Sequence, residues 1–220
     1  MEYLRLPVGP FQANAWLCWE ESPGSALLVD AGAEADRLLG ELEARGLALE
    51  AILQTHAHGD HIGALAEVVS ETGSPVYLHP DAEPMLRDAE ANLSMLAGVP
   101  VSADVDTVSV HDGEAVELLG RRIRVYHTPG HAPGSVCFHL VEDGIVFTGD
   151  ALFAGSIGRT DFPGGSFETL IAGIREKLLA LPDDTVVLPG HMGETTIGHE
   201  RRTNPFLREG GPWATGPVSR

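Results

Sequence analysis

No stretch of this chain constrains its fold as tightly as Thr55-His56-Ala57-His58-Gly59-Asp60-His61. Three imidazoles and one carboxylate fall within a few consecutive positions. Packed together without a cation, such groups compete for few partners, and burying them costs free energy. Neutral imidazole nitrogens and a carboxylate suit zinc, iron or manganese, and no cysteine lies nearby to favour thiolate chemistry. Ala51-Ile52-Leu53-Gln54-Thr55, just before the cluster, is a short apolar run that reads as a buried strand. After it, Ile62, Leu65, Ala66 and Val69 follow helical spacing, with Gly73 as the stop. The cluster is therefore predicted on a loop between a strand's carboxyl end and a helix's amino end. In extended backbone, residues two apart point the same way, so His56 and His58 aim at one point. Asp60 and His61, where the chain turns into the helix, face a second point close by.

Strand, tight loop and ligand recur further on. Arg122 to Tyr126 runs into His127-Thr128-Pro129-Gly130-His131, where prolines and glycines stiffen the loop around His131. Ser135 to Val141 and Ile145 to Thr148 read as a hairpin turning at Asp143-Gly144, which returns Asp150 to the neighbourhood of His131. Thr185 to Leu188 leads into Pro189-Gly190-His191. The candidate ligands are thus His56, His58, Asp60, His61, His131, Asp150 and His191. A zinc site with an open position takes about three protein ligands, so this set overfills one ion. Two ions account for it: one on His56, His58 and His131, the other on Asp60, His61 and His191, with Asp150 bridging. A water shared between them would have its pKa lowered toward about 7. His79, His111, His139 and His199 lack this context, and His127 reads as structural. Asp30 is either a turn residue or a partner that orients a ligand; sequence alone favours the turn.

The rest of the chain reads as ordinary scaffold. Strands are predicted at Tyr3 to Val8, Ala13 to Trp19, Ala26 to Val29 and Val76 to His79, with a helix through Leu38, Leu39 and Leu42. An irregular stretch from Pro80 to Asp106 has weak helical character around Met85 to Leu96. Thr107 to Val110, Ala115 to Leu119 and Arg122 to Tyr126 then read as a meander. Ser166 is placed to cap a helix whose apolar face is Phe167, Leu170, Ile171, Ile174 and Leu178. At 220 residues with 43% hydrophobic content, one domain over 1–220 is expected. Cys18 and Cys137 sit in apolar runs and are expected to be buried free thiols in a reducing cytoplasm. No leader pattern or membrane-length apolar run is present, so a cytoplasmic protein is expected. Asp and Glu number 32 against 14 Lys and Arg, a net charge of -18 that repels polyanions. Nucleic acid and anionic membranes are therefore set aside as partners, and a small-molecule substrate is expected.

With those residues in place, the sequence resembles the metallo-β-lactamase superfamily. Thr-His-Ala-His-Gly-Asp-His matches its HxHxDH signature, with His131, Asp150 and His191 at its later ligand positions and Asp30 at its first, structural acidic position. The resemblance implies an α/β fold, an αββα four-layer sandwich of two mixed β-sheets flanked by helices, with the site at one edge. Thr148-Gly149-Asp150-Ala151-Leu152-Phe153, Gly158-Arg159-Thr160-Asp161-Phe162 and the tail from Pro189-Gly190-His191 to Asn204-Pro205-Phe206 are similar to the short bacterial branch of the glyoxalase II group. That branch lacks the C-terminal helical extension whose basic residues bind glutathione in longer members, and no Lys/Arg cluster near Gly210 to Trp213 replaces it. The implied function is metal-dependent hydrolysis of a small thioester such as S-lactoylglutathione. It would use two divalent ions, zinc first and iron or manganese as alternatives, with Asp60 also orienting the attacking water or taking its proton. The Gly-Arg-Thr-Asp-Phe stretch also resembles the iron-dependent persulfide dioxygenases, which place a single iron on positions matching His56, His131 and Asp150. A metal-binding scaffold without turnover is the further alternative.

Overall fold

The computed structural model describes residues 1–208; the end of the chain, including Gly210 to Trp213, lies outside the described residues. Two six-stranded mixed sheets pack face to face. The first begins with strands β1 (Glu2–Val8), β2 (Ala13–Trp19) and β3 (Gly24–Val29), then helix α1 (Ala35–Arg45) and strand β4 (Leu47–Leu53). Two short helices, α2 (Gly59–Ile62) and α3 (Leu65–Thr72), lead to β5 (Val76–Leu78), α4 (Glu83–Leu86) and β6 (Thr107–Ser109). The strands lie in sequence order, antiparallel from β1 to β3 and parallel from β3 to β6.

The second sheet is built from β7 (Ala115–Leu118), β8 (Arg121–His127), β9 (Val136–Leu140) and β10 (Ile145–Gly149), all antiparallel neighbours. A small hairpin, β11 (Leu152–Phe153) and β12 (Ser156–Ile157), precedes α5 (Phe167–Gly173), whose last turns widen over Ile174–Leu178. Strand β13 (Val186–Pro189) then runs parallel to β10, and β14 (Thr195–Thr196) and α6 (Ile197–Thr203) follow.

Alternation along the strands makes the layers. In β2, Trp16 and Cys18 enter the core between the sheets, while Ala15 and Leu17 face the core under α1 and α3. The inter-sheet core is completed by Leu27, Val29, Leu53, Val125, Phe138 and Phe147. On the far side, Val146 and Val187 pack under Leu170, Ile174 and Ile197 of α5 and α6. Central strands are thus buried on both faces, which is why β2, β9 and β10 are largely apolar, broken only by Asn14, His139 and Thr148. The expected αββα sandwich is the observed fold. Both cysteines are buried free thiols. Among the described residues, no helix is long and apolar enough to cross a membrane.

Three local expectations are corrected. Thr107 to Val110 does not open a meander with the two strands after it: β6 pairs in parallel with β5, and the turn at His111-Asp112-Gly113 is the crossover between the sheets. Strand propensity identifies a strand but not its partner. The helical character expected around Met85 to Leu96 is confined to α4, and turns follow it. There Asn92 donates from its side chain to the Met85 and Val101 carbonyls, and Leu93 takes a left-handed φ of 66°. Side-chain bonds of this kind offer the backbone an alternative to the helical ladder. The strand before the metal-binding stretch is Leu47–Leu53, so Gln54 and Thr55 already belong to the loop.

Phe138 is fully buried in the inter-sheet core. Phe138→Ala is expected to lower unfolding free energy by about 3–5 kcal/mol. Val141→Ala, at a side chain left 41% exposed just past β9, is expected to change it by no more than about 0.5 kcal/mol. Urea denaturation of both variants checks this; equal effects would contradict the assignment of Phe138 to the core.

Candidate metal centre

All of the sequence-predicted ligands meet at one end of the two sheets. The loop after β4 brings His56 and His58, α2 brings Asp60 and His61, and the loop after β8 brings His131. Asp150 follows β10 and His191 follows β13, two strands that run parallel and so end together. A Cβ on Gly190 would collide with the Asp150 carboxylate and His61, so only glycine lets the last ligand loop approach this closely.

Two groups of donor atoms face the centre, and a third, Asp30, His56 and His61, links them from behind. One atom each from His56, His58 and His131 lie within 4.8 Å of one another, and the same holds for Asp60, His61 and His191. His131 Nε2 lies 2.9 Å from His58 Nδ1, and His61 Nε2 lies 3.4 Å from His191 Nε2. Asp150 stands between the groups. Its carboxylate is 3.4 Å from His131 Nε2 on one side, and 3.4 and 3.5 Å from His61 and His191 on the other. The first group is buried, whereas the side chains of His191 and Asp60 are 22% and 25% exposed. The centre therefore opens to solvent on the Asp60/His191 side.

Groups behind the ligands fix their orientation. The buried Asp30 carboxylate accepts from the Thr55 backbone N–H at 2.7 Å, from Thr55 Oγ1 at 2.7 Å and from Gln54 Nε2 at 3.1 Å. It also lies 2.9 Å from His61 Nδ1, which leaves Nε2 of that ring facing the centre. The turn reading of Asp30 is thereby corrected, although its φ of 59° shows that the chain also bends there. His56 Nδ1 meets Thr55 Oγ1 at 3.0 Å, and His131 Nδ1 meets the Arg159 carbonyl at 2.8 Å. Sequence reasoning missed Gln54, which donates to the His56 and His61 carbonyls and ties the loop's two ends together. A buried Gln closing an apolar run was the available signal. Phe162 was also missed; its ring meets His58 edge-on at 5.8 Å, under the Arg159 guanidinium, which is itself paired with Asp161.

Charge separates the two groups. Burial, then the surrounding imidazoles, holds His56 well below the ordinary imidazole value, and burial with His131 holds His58 at about 3. For His61, burial opposes the charged form but Asp150, Asp60 and Asp30 outweigh it, raising the group to about 10. His191 is raised too, Asp60 and Asp150 overcoming its burial. Asp60 is kept well below the usual carboxylate range, burial being outweighed by His61 and His191.

The donor set fits metal ions. His56 Nε2 and Asp150 Oδ1 are buried with no hydrogen-bond partner among the described residues. An unsatisfied buried polar atom costs about 1–3 kcal/mol, and a cation between the groups would satisfy both. Imidazole and carboxylate donors without thiolate suit zinc, iron or manganese. The cluster is suited to a dinuclear metal site.

Sequence comparison agrees with this geometry. Residues 8–191 match the model of the metallo-beta-lactamase superfamily. The chain belongs to that superfamily. Within it, the chain is 44% identical to the probable metallo-hydrolase YqgX of Bacillus subtilis (strain 168), covering 94% of this chain and 98% of the relative. It is 40% identical to the hydroxyacylglutathione hydrolase GloC of Haemophilus influenzae, covering 92% and 96%. Among solved structures, the BLEG-1 B3 metallo-beta-lactamase superposes with a TM-score of 0.90 at 39% identity, covering 94% of this chain and 99% of that one. TTHA1623 in a di-iron-bound form gives 0.82 at 41%, covering 93% and 100%. ETHE1 from Myxococcus xanthus gives 0.77 at 29%, covering 94% and 84%.

Two outcomes test the site. Asp30→Asn removes the carboxylate behind His61 without emptying its volume. Metal affinity on the Asp60/His61/His191 side is expected to fall about 10–100-fold, and by less on the His56/His58/His131 side, which Asp30 reaches only through Thr55, as read by metal analysis after dialysis. Unchanged affinity on the Asp60/His61/His191 side would refute the orienting role of Asp30. Proton release should differ in the same way, because ligation needs the neutral imidazole. His58 is already neutral at pH 7.5, whereas His61, raised to about 10, must lose a proton. Calorimetric metal titrations in buffers of different ionisation enthalpy are expected to show greater net proton release on filling the second group than on filling the first. Retention by the second group should weaken as pH falls.

Proposed function

We propose that this chain is a thioester hydrolase of the glyoxalase II type, with S-lactoylglutathione or a similar small thioester as its substrate. The observation that carries the reading is Asp150, set between two complete ligand groups, since a single-ion enzyme has no use for the second. The 40% identity to a hydroxyacylglutathione hydrolase supports the choice of thioester. His56, His58 and His131 would hold one ion, Asp60, His61 and His191 the other, and Asp150 both, with zinc as the working metal. Bound there, the ions would supply Lewis-acid polarisation and lower the pKa of a coordinated water toward about 7.

The chain's own residues do the rest. Asp60, ionised at neutral pH and partly exposed, accepts a hydrogen bond from the attacking water on a carboxylate oxygen and so orients it. Asp30 and Thr55 keep the His61 and His56 rings turned toward the centre. Substrate enters from the Asp60/His191 side, where the ligands reach solvent. Water adds to the thioester carbonyl, the C–S bond breaks, and acid and thiol leave, so no protein nucleophile is required.

Likeness to ETHE1 favours a second reading, an iron-dependent persulfide dioxygenase using only His56, His131 and Asp150. One comparison separates the two. The zinc-loaded protein is expected to release free thiol from S-lactoylglutathione without consuming oxygen, to stop with chelator, and to lose activity in Asp150→Ala. Oxygen uptake with glutathione persulfide by the iron-loaded protein, and no thiol release with zinc, would establish the dioxygenase instead. A chromogenic cephalosporin belongs in the same assay, given the likeness to BLEG-1, and preferential cleavage of it would overturn the thioester assignment.

A further inference from the structure

A second group of metal-ligating side chains lies away from the centre, at the seam between the two sheets. His79 follows β5 of the first sheet, Asp81 comes two residues later, and His127 ends β8 of the second. One donor atom from each lies within 4.8 Å of the others. We propose that His79, Asp81 and His127 form a third, weaker site for a divalent transition-metal ion of the zinc class, bridging the two sheets.

Three features support it. First, His127 Nε2 is buried and has no hydrogen-bond partner among the described residues. Secondly, the neutral form of both imidazoles is favoured, although His79 Nδ1 accepts from the Asp81 backbone N–H at 3.2 Å and must give up that bond or change tautomer to ligate. Burial lowers the pKa of each, and for His127 the neighbouring His79 and Lys177 lower it further. Thirdly, the group has an entry path: His79 is 7% exposed, but the Asp81 side chain is 63% exposed. Two imidazoles and a carboxylate favour zinc-class ions over calcium or magnesium, which prefer all-oxygen sites.

The surroundings explain why the site is the weaker one. The two rings are stacked, with centroids 4.0 Å apart and planes 11° from parallel. Parallel rings cannot both direct in-plane lone pairs at one ion, so one ring must turn for the site to form. Lys177 Nζ binds the His127 carbonyl at 2.6 Å and Asp112 at 2.8 Å, which places a positive charge nearby and takes up the other local carboxylate. The His111 ring stands 5.9 Å from that of His79.

The position gives such a site a consequence. His127 opens the loop that carries His131, and that loop's Gly134 packs against the backbone at Ala82, next to Asp81. An ion held by His79, Asp81 and His127 would pin the His131 loop to the first sheet whenever metal is in excess.

The test is a cobalt(II) titration of the full chain after its tight equivalents are filled with zinc, read by visible absorption and by equilibrium dialysis. One further, weaker equivalent is expected, with the d–d bands of nitrogen and oxygen ligation. Asp81→Asn, at an exposed position, should weaken that equivalent at least tenfold, and His79→Ala should abolish it, while the tight equivalents remain. The inference is overturned if wild-type protein binds no further equivalent. It is also overturned if the equivalent survives Asp81→Asn and His79→Ala unchanged, which would mark an adventitious ion on an acidic surface. This outcome is independent of which reaction the main centre catalyses.

Discussion

The buried carboxylate of Asp30 is the contact on which the rest of the centre depends. It sits at the end of β3 yet bonds the backbone and hydroxyl of Thr55, the Gln54 amide and the His61 ring. One side chain thereby fixes where β4 ends, how the metal-binding loop leaves it, and which nitrogen of His61 faces inward. An isolated buried carboxylate would be costly, and these bonds are what make its burial tolerable. Gln54 extends the arrangement by holding the carbonyls on both sides of the loop. The candidate ligands are therefore held in position by hydrogen bonds from behind.

That preorganisation creates an electrostatic asymmetry. His56 and His58 lie among other imidazoles, with burial against them, and are neutral. His61 and His191 lie among Asp30, Asp60 and Asp150, which favour the protonated form of each. Those carboxylates favour cations of any kind, so on that side protons and metal compete for the same positions. The more exposed group is thus the one whose occupancy follows pH, and it is also the one through which substrate would enter.

Much of this was legible in the sequence because ligand chemistry is local. His56 to His61 span a loop short enough for strand and helix periodicity alone to orient them, and seven ligands exceed what one ion can use. The Asp143-Gly144 hairpin was enough to bring Asp150 back toward His131. The αββα architecture followed from the resemblance, and the apolar runs of β2, β9 and β10 agree with strands buried on both faces. Sequence could not show that β6 adds to the first sheet, because Thr107 to Ser109 carries no mark of its partner.

What the sequence determined by itself was the donor set, its division into two groups and the strand ends that present it. Residue type and short-range geometry settle those. Only the tertiary structure decided that Asp30 orients His61, that Gln54 closes the loop, and that His79 and His127 stack across the seam. The first and the last of these join residues far apart in the chain or on different sheets. Their meeting depends on how the sheets pack, which no local pattern encodes.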